Sequence, residues 1–166
     1  CSGIARAPDG SMWMGTFRGL VRFNGQKFLP WAPAAMPALK STSIVNIYQD
    51  RRGRTWLSTT EGLVLHDHGT WRQWQENDGW GNRSDYVRSY TERRDGTLVL
   101  TRFGGRVMQF DANGTWREPP LPPGSGGTIC AFDDQGDLVA VRPGFVGWWH
   151  DGAWQEIAGA EGFAKV

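Results

Sequence analysis

The chain has 166 residues, enough to form one domain with a sizeable core. Its formal net charge is only +1, so the sequence predicts no charged surface that would attract nucleic acid. No apolar run reaches the roughly 18 residues that a membrane-spanning segment needs, and we predict no membrane contact within the chain.

Four stretches of the sequence repeat one pattern, and such a repeat decides the fold before any single element does. The first turn of each stretch carries a glycine, at Gly10, Gly53, Gly96 and Gly136, which gives spacings of 43, 43 and 40 residues. The residues three positions later are Trp13, Trp56, Val99 and Val139. The first two repeats therefore agree closely, whereas the third and fourth keep the turns and lose the tryptophan.

In chain order, each repeat predicts four short strands, because runs of four to six residues are bounded by Gly, Asp, Asn and Pro. The first repeat predicts strands at 4–7, 12–16, 20–23 and 27–31, and the second at 44–49, 55–59, 63–66 and 70–74. The third predicts strands at 87–91, 97–101, 107–110 and 115–118, and the fourth at 128–132, 137–141, 146–149 and 153–157. No segment shows the 3.6-residue period of a capped helix.

The second strand of each repeat is apolar on both faces, as in Met12, Trp13 and Met14. A strand of this kind is buried on both sides, so each sheet is predicted to lie between copies of itself. Radial stacking of four-stranded sheets with a period of ~40–50 residues is a β-propeller. We predict an all-β fold, a single propeller segment of four four-stranded antiparallel blades with the first strand innermost. The repeats span about 1–43, 44–86, 87–127 and 128–166, and their tryptophans, Trp56 among them, are predicted to fill the core.

One stretch resembles the two-component regulator propeller repeat. Its pattern is Asp-x-x-Gly-x-x-Trp-x-x-Thr-x-x-Gly-Leu, carried by Asp50, Gly53, Trp56, Thr59, Gly62 and Leu63. The first repeat has Ala7 where the aspartate would be, the fourth has Val139 for Trp and Arg142 for Thr, and the third lacks the Asp and the Trp. The resemblance implies the periplasmic sensor propeller of bacterial hybrid histidine kinases or diguanylate cyclases, with signalling domains further along the parent chain.

The loops that join the second and third strands are candidates for a ligand site, since binding residues concentrate on loops held by a rigid scaffold. Arginine and aromatic residues recur together in them, and Arg102 and Arg142 occupy the position of Thr16 and Thr59. With one residue of an inter-blade loop, the predicted ligand-binding set is Phe17, Arg18, Glu61, Trp80, Arg102, Phe103 and Arg142. Guanidinium groups and ring faces suit an anionic or sugar-like ligand. The alternative for the arginines is salt bridging between blades.

Trp80 stands between glycines in a polar loop, where the sequence shows no core role for it. It could stack on a ligand or on a partner, or it could cap the edge of a blade. Cys130 is predicted to be a buried free thiol. A disulfide with Cys1 would require the two ends of the chain to meet.

The sequence predicts no catalytic residues, metal site or cofactor. It lacks a Gly-x-Ser-x-Gly elbow, a His-Glu-x-x-His motif and a phosphate-binding glycine loop. His66 and His68 alternate in one turn without a further Cys or His nearby, which makes an incomplete metal site. These two and His150 all map to the rim opposite the candidate ligand loops.

The sequence therefore predicts a non-enzymatic, ligand-sensing propeller segment of a bacterial signal-transduction receptor, with an unknown small ligand. Two alternatives are a propeller lyase or hydrolase, and a protein-interaction or dimerisation platform without a small ligand. We also expect a fragment of a larger propeller, because residues 159–166 resemble a shortened inter-blade connector. An open arc of blades exposes apolar faces that favour self-association. The alternative is a ring of four blades closed only by side-chain packing.

Overall fold

The computed structural model describes residues 2–7, 9–34, 36–40, 42–75, 80, 85–111, 115–124 and 126–157. Cys1 and the tail 159–166, on which two of the expectations above rest, lie outside this part. The described chain folds into sixteen strands, and its one helical element is a 3-10 turn at Pro37–Lys40. No helix in the described residues is long and apolar enough to cross a membrane.

The strands form four sheets of four, which we call blades 1 to 4. Blade 1 contains β1 Gly3–Arg6, β2 Met12–Thr16, β3 Gly19–Phe23 and β4 Phe28–Trp31. Blade 2 contains β5 Ile44–Gln49, β6 Thr55–Thr59, β7 Gly62–Asp67 and β8 Thr70–Trp74. Blade 3 contains β9 Val87–Glu92, β10 Leu98–Arg102, β11 Val107–Phe110 and β12 Trp116–Arg117. Blade 4 contains β13 Ile129–Phe132, β14 Leu138–Arg142, β15 Phe145–His150 and β16 Ala153–Glu156.

Each blade is an antiparallel meander in which neighbours in sequence are neighbours in the sheet. The register repeats as well, since Trp13 pairs with Arg22 in blade 1 and Trp56 pairs with Leu65 in blade 2. A regular register places alternate side chains of every strand on one face of its blade. The predicted all-β fold of four four-stranded antiparallel blades is confirmed, with most strand ends within one residue of their predicted positions.

The chain divides into two compact units, Cys1–Val87 with blades 1 and 2 and Arg88–Val166 with blades 3 and 4. In the first unit, one face of blade 1 packs on one face of blade 2. Trp13 and Leu20 meet Ile47, Leu57 and Val64, and the buried Leu39 of the 3-10 turn joins this core. In the second unit, Val99 and Val107 of blade 3 pack with Cys130, Leu138 and Ala140 of blade 4.

The closest approach in the first unit depends on two glycines of blade 1. A Cβ atom on Gly15 would lie 2.6 Å from Cγ2 of Ile44, and one on Gly3 would lie 3.0 Å from the backbone nitrogen of Ile47. The Ser2 hydroxyl donates a hydrogen bond to the Ile44 carbonyl. The absence of side chains at these two positions therefore lets β1 and β2 pack directly against β5.

The prediction that the second strand is buried on both faces holds for two blades only. All five residues of β6 and of β10 are buried, and Trp56 is 0% exposed. In β2 and β14 the burial alternates, so that Met12 and Met14 of β2 are partly open. The prediction is wrong for these two strands. A strand with apolar side chains on both faces is buried on both sides only where a second sheet covers it.

Candidate functional site

The first turn of every repeat has one backbone geometry. In blade 2 the Asp50 amide donates to the Arg54 carbonyl at 3.0 Å, and the Gly53 amide donates to the Asp50 carbonyl at 2.9 Å. The same pair of bonds recurs at residues 7–11, 93–97 and 133–137. The glycine has a positive φ in all four turns, from 76° to 89°. The 43, 43, 40 spacing of these glycines therefore records a turn that is structurally required.

Asp50 is the centre of the turn in blade 2. One carboxylate oxygen accepts the backbone amides of Arg52 and Arg54 at 3.0 and 2.9 Å. The other accepts the Arg54 Nε–H at 2.6 Å and the indole N–H of Trp56 at 2.9 Å. Asp50 is 4% exposed and Trp56 is 0% exposed. The Asp and the Trp of the repeat pattern are thus directly hydrogen-bonded partners.

Blades 1 and 3 keep this turn with an aspartate two positions later. Asp9 accepts the amide and hydroxyl of Ser11 and pairs with Arg22. Asp95 accepts the Thr97 amide at 2.8 Å and pairs with Arg93 at 2.6 Å. Hydrogen bonding lowers the pKa of both carboxyl groups, from Ser11 for Asp9 and chiefly from the Arg93 side chain for Asp95. The aspartate that the sequence pattern lacks in these repeats is therefore supplied from another position.

The second turn explains the Thr-x-x-Gly part of the pattern. The Thr59 hydroxyl donates to the Gly62 carbonyl at 2.9 Å and accepts the Glu61 amide at 3.0 Å. Thr16 makes the equivalent bonds with Gly19 and Arg18 at 2.8 and 3.1 Å. A Cβ atom on Gly62 would lie 2.0 Å from the Trp74 carbonyl oxygen, so no other residue fits there.

The predicted ligand residues of the first unit differ widely in exposure. Phe17 is 76% exposed and Arg18 is exposed beside it at the β2–β3 tip. Glu61 is half-buried at the β6–β7 tip. Trp80 is only 3% exposed, and its amide donates to the Gln75 carbonyl at 3.1 Å. The structure therefore gives Trp80 a core position, which its polar, glycine-flanked sequence context does not show.

In the second unit the two predicted arginines are buried. Arg102 is 0% exposed, with Nη1 lying 3.9 Å from the Met108 sulfur, and the neighbouring Phe103 is 56% exposed. Arg142 is 9% exposed, and its guanidinium donates to the carbonyl oxygens of Pro122 at 2.7 Å and Gly126 at 3.1 Å. Arg142 thus anchors the connector between blades 3 and 4 through backbone carbonyls. The alternative drawn from the sequence was a salt bridge between blades, and these acceptors are not carboxylates.

That connector is held between the two hairpin tips of its unit. The Thr128 hydroxyl donates to the Gly105 carbonyl at 2.9 Å, which ties the connector to the β10–β11 tip. A Cβ atom on Gly124 would lie 2.5 Å from the Pro143 carbonyl oxygen, so the connector also contacts the β14–β15 tip closely. Arg142 and the β10–β11 tip therefore both hold the same connector. The buried contacts that they make with it have a structural role.

Blade 3 has a cleft that the sequence pattern does not predict. It has a volume of about 480 Å³ and is lined by Arg93, Asp95, Thr97, Gln109, Asp111, Thr115, Trp116 and Arg117. These residues come from the β9–β10 turn, from β11 and β12, and from Asp111 and Thr115 between those two strands. Because the register places Gln109 opposite Arg117, side chains that lie eight residues apart in sequence meet there. The only available signal was a cluster of polar residues with one tryptophan around a turn, which also describes an ordinary solvated turn.

The charges of the cleft are internally balanced. Two guanidinium groups face two carboxylates, and Arg93 donates to Asp95 through both Nε at 3.0 Å and Nη2 at 2.6 Å. Arg117 donates to the Gln109 side-chain oxygen at 3.3 Å. The lining thus offers planar donors and acceptors, hydroxyl groups and one indole ring with no net charge, which is a suitable environment for a polar, uncharged ligand.

The turn geometry of blade 2 coincides with a family match. The family model for the two component regulator propeller matches residues 38–61, which include Asp50, Trp56 and Thr59. Residues 38–61 thus match one two component regulator propeller repeat. No curated protein sequence matches the chain.

Solved structures that resemble the chain include extracellular domains of two-component systems and a lyase. The extracellular domain of BT3049 of B. thetaiotaomicron, assigned to a hybrid two component system, matches with a TM-score of 0.65 and 20% identity over 83% of this chain and 20% of that one. The extracellular domain of BT4673, assigned likewise, matches with a TM-score of 0.68 and 18% identity over 93% and 21%. Virginiamycin B lyase from Staphylococcus aureus matches with a TM-score of 0.65 and 14% identity over 96% and 56%.

These likenesses establish the β-propeller fold of the blades. The chain spans between about a fifth and just over half of the length of these three structures. The regulator propeller repeat is most complete in blade 2. In blades 3 and 4 an arginine replaces the threonine of the second turn, and the arginine is buried in both cases.

His66 belongs to an aromatic cluster in the first unit. Its ring stacks on Trp71 with centroids 4.3 Å apart, and Trp13 and Trp31 complete the cluster with their own centroids 4.2 Å apart. Its Nε2 accepts the Gly69 amide at 3.2 Å, which requires the neutral ring. Burial lowers the pKa of His66. The neutral imidazole is therefore the form that this packing selects.

The structure also locates the metal and thiol candidates that the sequence suggests. Among the described residues no three His, Cys, Asp or Glu side chains lie close enough together to hold a metal ion. The His68 side chain is 84% exposed and pairs with Asp67. Cys130 is a buried free thiol, as predicted, and burial raises its pKa to about 12.

Proposed function

We propose that the chain is a non-enzymatic, ligand-binding propeller segment of a bacterial signalling receptor, located outside the cytoplasm. The regulator propeller repeat at residues 38–61 supports a signalling role. The likeness to extracellular domains of two B. thetaiotaomicron systems supports the location. Ligand binding would change the stability or geometry of the blades, and signalling domains of the parent protein would respond to that change.

The observation that carries ligand binding is the cleft on blade 3. The buried Arg102 and Arg142 leave the predicted rim with fewer accessible groups. In the cleft, Arg117 and Thr115 are exposed and Trp116 is half-exposed. Planar amide, carboxylate and guanidinium groups can bind pairs of hydroxyls, and an indole ring can pack on an apolar sugar face. The ligand class that fits best is a small, neutral, hydroxyl-rich molecule such as an oligosaccharide.

The test is a thermal-shift screen of the chain against neutral oligosaccharides and small anions, followed by titration calorimetry. A ligand at 100 times its Kd stabilises the folded chain by ~2.7 kcal/mol, which such a screen detects. Arg117→Ala and Thr115→Ala should weaken the binding about tenfold, because both alter exposed side chains of the cleft. Binding that survives both substitutions contradicts the assignment to the cleft.

The exposed β2–β3 tip of blade 1 provides the matched control. Phe17→Ala and Arg18→Ala remove an exposed aromatic and an exposed arginine from the rim that the sequence predicts as the ligand site. These variants should bind the ligand as the unchanged chain does. If they lose binding and the cleft variants keep it, the rim is the ligand site.

An enzyme is the second candidate, favoured by the likeness to virginiamycin B lyase over 96% of this chain. One structure of that lyase is described as a catalytically inactive histidine-to-alanine variant with quinupristin. The histidines of this chain lie near the ends of third strands, His66 and His150, or in the turn that follows, His68. Incubation with quinupristin, followed by liquid chromatography and mass spectrometry, tests this candidate, and a new product formed from quinupristin would establish it.

A further inference from the structure

Both blade pairs pack in one orientation. We call the face with the residues three and five positions after the first-turn glycine the leading face, and the opposite one the trailing face. In the first unit the leading face of blade 1, with Trp13, packs on the trailing face of blade 2, with Leu57. In the second unit the leading face of blade 3, with Val99, packs on the trailing face of blade 4, with Leu138 and Ala140. In both units, therefore, the leading face of one blade packs on the trailing face of the next.

One leading face of the chain is open. On blade 4 it carries Ile129 and Val141, which pair across β13 and β14 and are 48% and 47% exposed. Ala131 is exposed on the same face, and Val139 and Trp148 are partly exposed. The equivalent positions of blade 3 include Ser89, Thr91 and Thr101, with the Ser89 and Thr101 hydroxyls 2.6 Å apart. The open face is therefore more apolar than the covered face of the neighbouring blade.

One trailing face is open as well. On blade 1 it carries Ile4, which is 54% exposed, and the partly exposed Met14 and Val21 that pair with it across the sheet. Phe28 on β4 is 62% exposed and stacks on Phe23, with centroids 4.6 Å apart. The chain therefore exposes one apolar face of each kind, and each has the shape that the repeat packs against.

The charges of the two open faces are complementary. Arg6 stands on the trailing face of blade 1, beside the first turn, and makes no ion pair with any described residue. Asp137 stands on the leading face of blade 4, also beside the first turn. Its carboxylate lies 3.6 Å from the His150 Nδ1, and its backbone amide donates to the Asp133 carboxylate. When a leading face packs on a trailing face in the orientation seen in both units, these two positions lie at the same end.

We propose that the two open faces bind each other between copies of the chain. The leading face of blade 4 in one copy docks on the trailing face of blade 1 in another, with Arg6 opposite Asp137. The partner is a second copy because this chain supplies both faces and uses the same contact in each unit. Such a head-to-tail contact is heterologous, so it forms a closed ring or an open chain of copies.

Sedimentation velocity of the 166-residue chain over a wide concentration range tests the proposal. The average mass should rise with concentration above that of the monomer. Val141→Lys should weaken the association about tenfold or more, because it places a charge in the middle of the docking face. Leu121→Lys is the matched control, since Leu121 is also 47% exposed but lies in the connector between blades 3 and 4. This control should associate as the unchanged chain does.

An exchange of the two charges distinguishes a specific contact from nonspecific association. Arg6→Asp and Asp137→Arg should each weaken the association, and the double variant should restore it. Both residues are at least partly exposed, and circular dichroism verifies that each variant is folded. A monomer at every concentration overturns the proposal. So does an association that Leu121→Lys disrupts as strongly as Val141→Lys, or that the double charge exchange fails to restore.

Discussion

Asp50 illustrates how one side chain organises a repeat. Its two carboxylate oxygens accept four hydrogen bonds, from two backbone amides, the Arg54 guanidinium and the Trp56 indole. A buried charge is tolerated only when it is paired and hydrogen-bonded. This network meets both conditions, and it links the turn to the buried tryptophan of the next strand.

Replacing Asp50 should therefore be costly. Asp50→Ala leaves the Arg54 guanidinium, which is only 7% exposed, and the indole N–H of Trp56 without their acceptor. We expect a loss of about 3–5 kcal/mol in the free energy of unfolding, measured by urea denaturation. Asp9→Ala, at the exposed turn of blade 1, is the control and should lose no more than about 1 kcal/mol. Equal losses would contradict the role given to burial.

His66 predicts a pH dependence of stability. Burial lowers its pKa in the folded chain, so the unfolded chain binds the proton more readily. The stability that this group contributes is fully present above the unfolded-state pKa of about 6.5 and is lost as the pH falls below it. The nearby charged groups are Asp67, which opposes the shift, and His68, which adds to it.

The melting temperature should therefore decrease as the pH is lowered from about 7.5 to about 5. His66→Gln should flatten this dependence, because glutamine does not titrate. His68→Gln is the matched control, since the His68 side chain is 84% exposed, and it should change the slope far less than His66→Gln does. A slope that persists in His66→Gln would assign the titration to another group.

At the scale of the element, the hairpins between the second and third strands of the blades close their loops in two different ways. Thr16 and Thr59 close two-residue loops with their hydroxyl groups. Arg102 instead closes a longer loop with backbone bonds to Arg106 and Gly105, the geometry of the first turn. Its side chain is thereby released from closing the turn and becomes part of the interior.

Arg142 holds the connector between blades 3 and 4. Arg142→Ala removes two charged hydrogen bonds to the Pro122 and Gly126 carbonyls, and we expect a loss of about 2–3 kcal/mol in stability. Limited proteolysis should then cut the connector faster. The control Arg18→Ala at the exposed tip of blade 1 should change stability by less than about 0.5 kcal/mol. Unchanged proteolysis in Arg142→Ala would contradict the anchoring role.

The strands were predictable because turn glycines and alternating apolar residues act over a few positions. The 3-10 turn at Pro37–Lys40 was not, because its stability depends on burying Leu39 in a core made by two blades. The exposure of Arg102 and Arg142 was not predictable either. Sequence equivalence placed both at a hairpin tip, but only the path of the chain around them determines whether the guanidinium points to solvent or to backbone carbonyls. The blade 3 cleft depends on a register that brings Gln109 and Arg117 together.

At the scale of the whole molecule, the repeat determines more than the fold of each blade. A blade that presents a leading and a trailing face can be extended at either end by the same contact. The chain spans only part of the length of the propellers that it resembles. The proposed contact between copies would cover the open faces of blades 1 and 4 in the way that the blades pack within each unit.

The buried thiol of Cys130 gives the second unit a built-in kinetic reporter. Its sulfur lies in the core shared by blades 3 and 4 and is 5% exposed, so an alkylating reagent reaches it only when the two sheets separate. In a Cys1→Ser background it is the sole thiol of the chain. The rate of alkylation under native conditions then measures how often the core of the two blades opens, through local separation of the sheets or through global unfolding. A ligand or a second copy that changes this rate reveals how far its effect extends through the sheets.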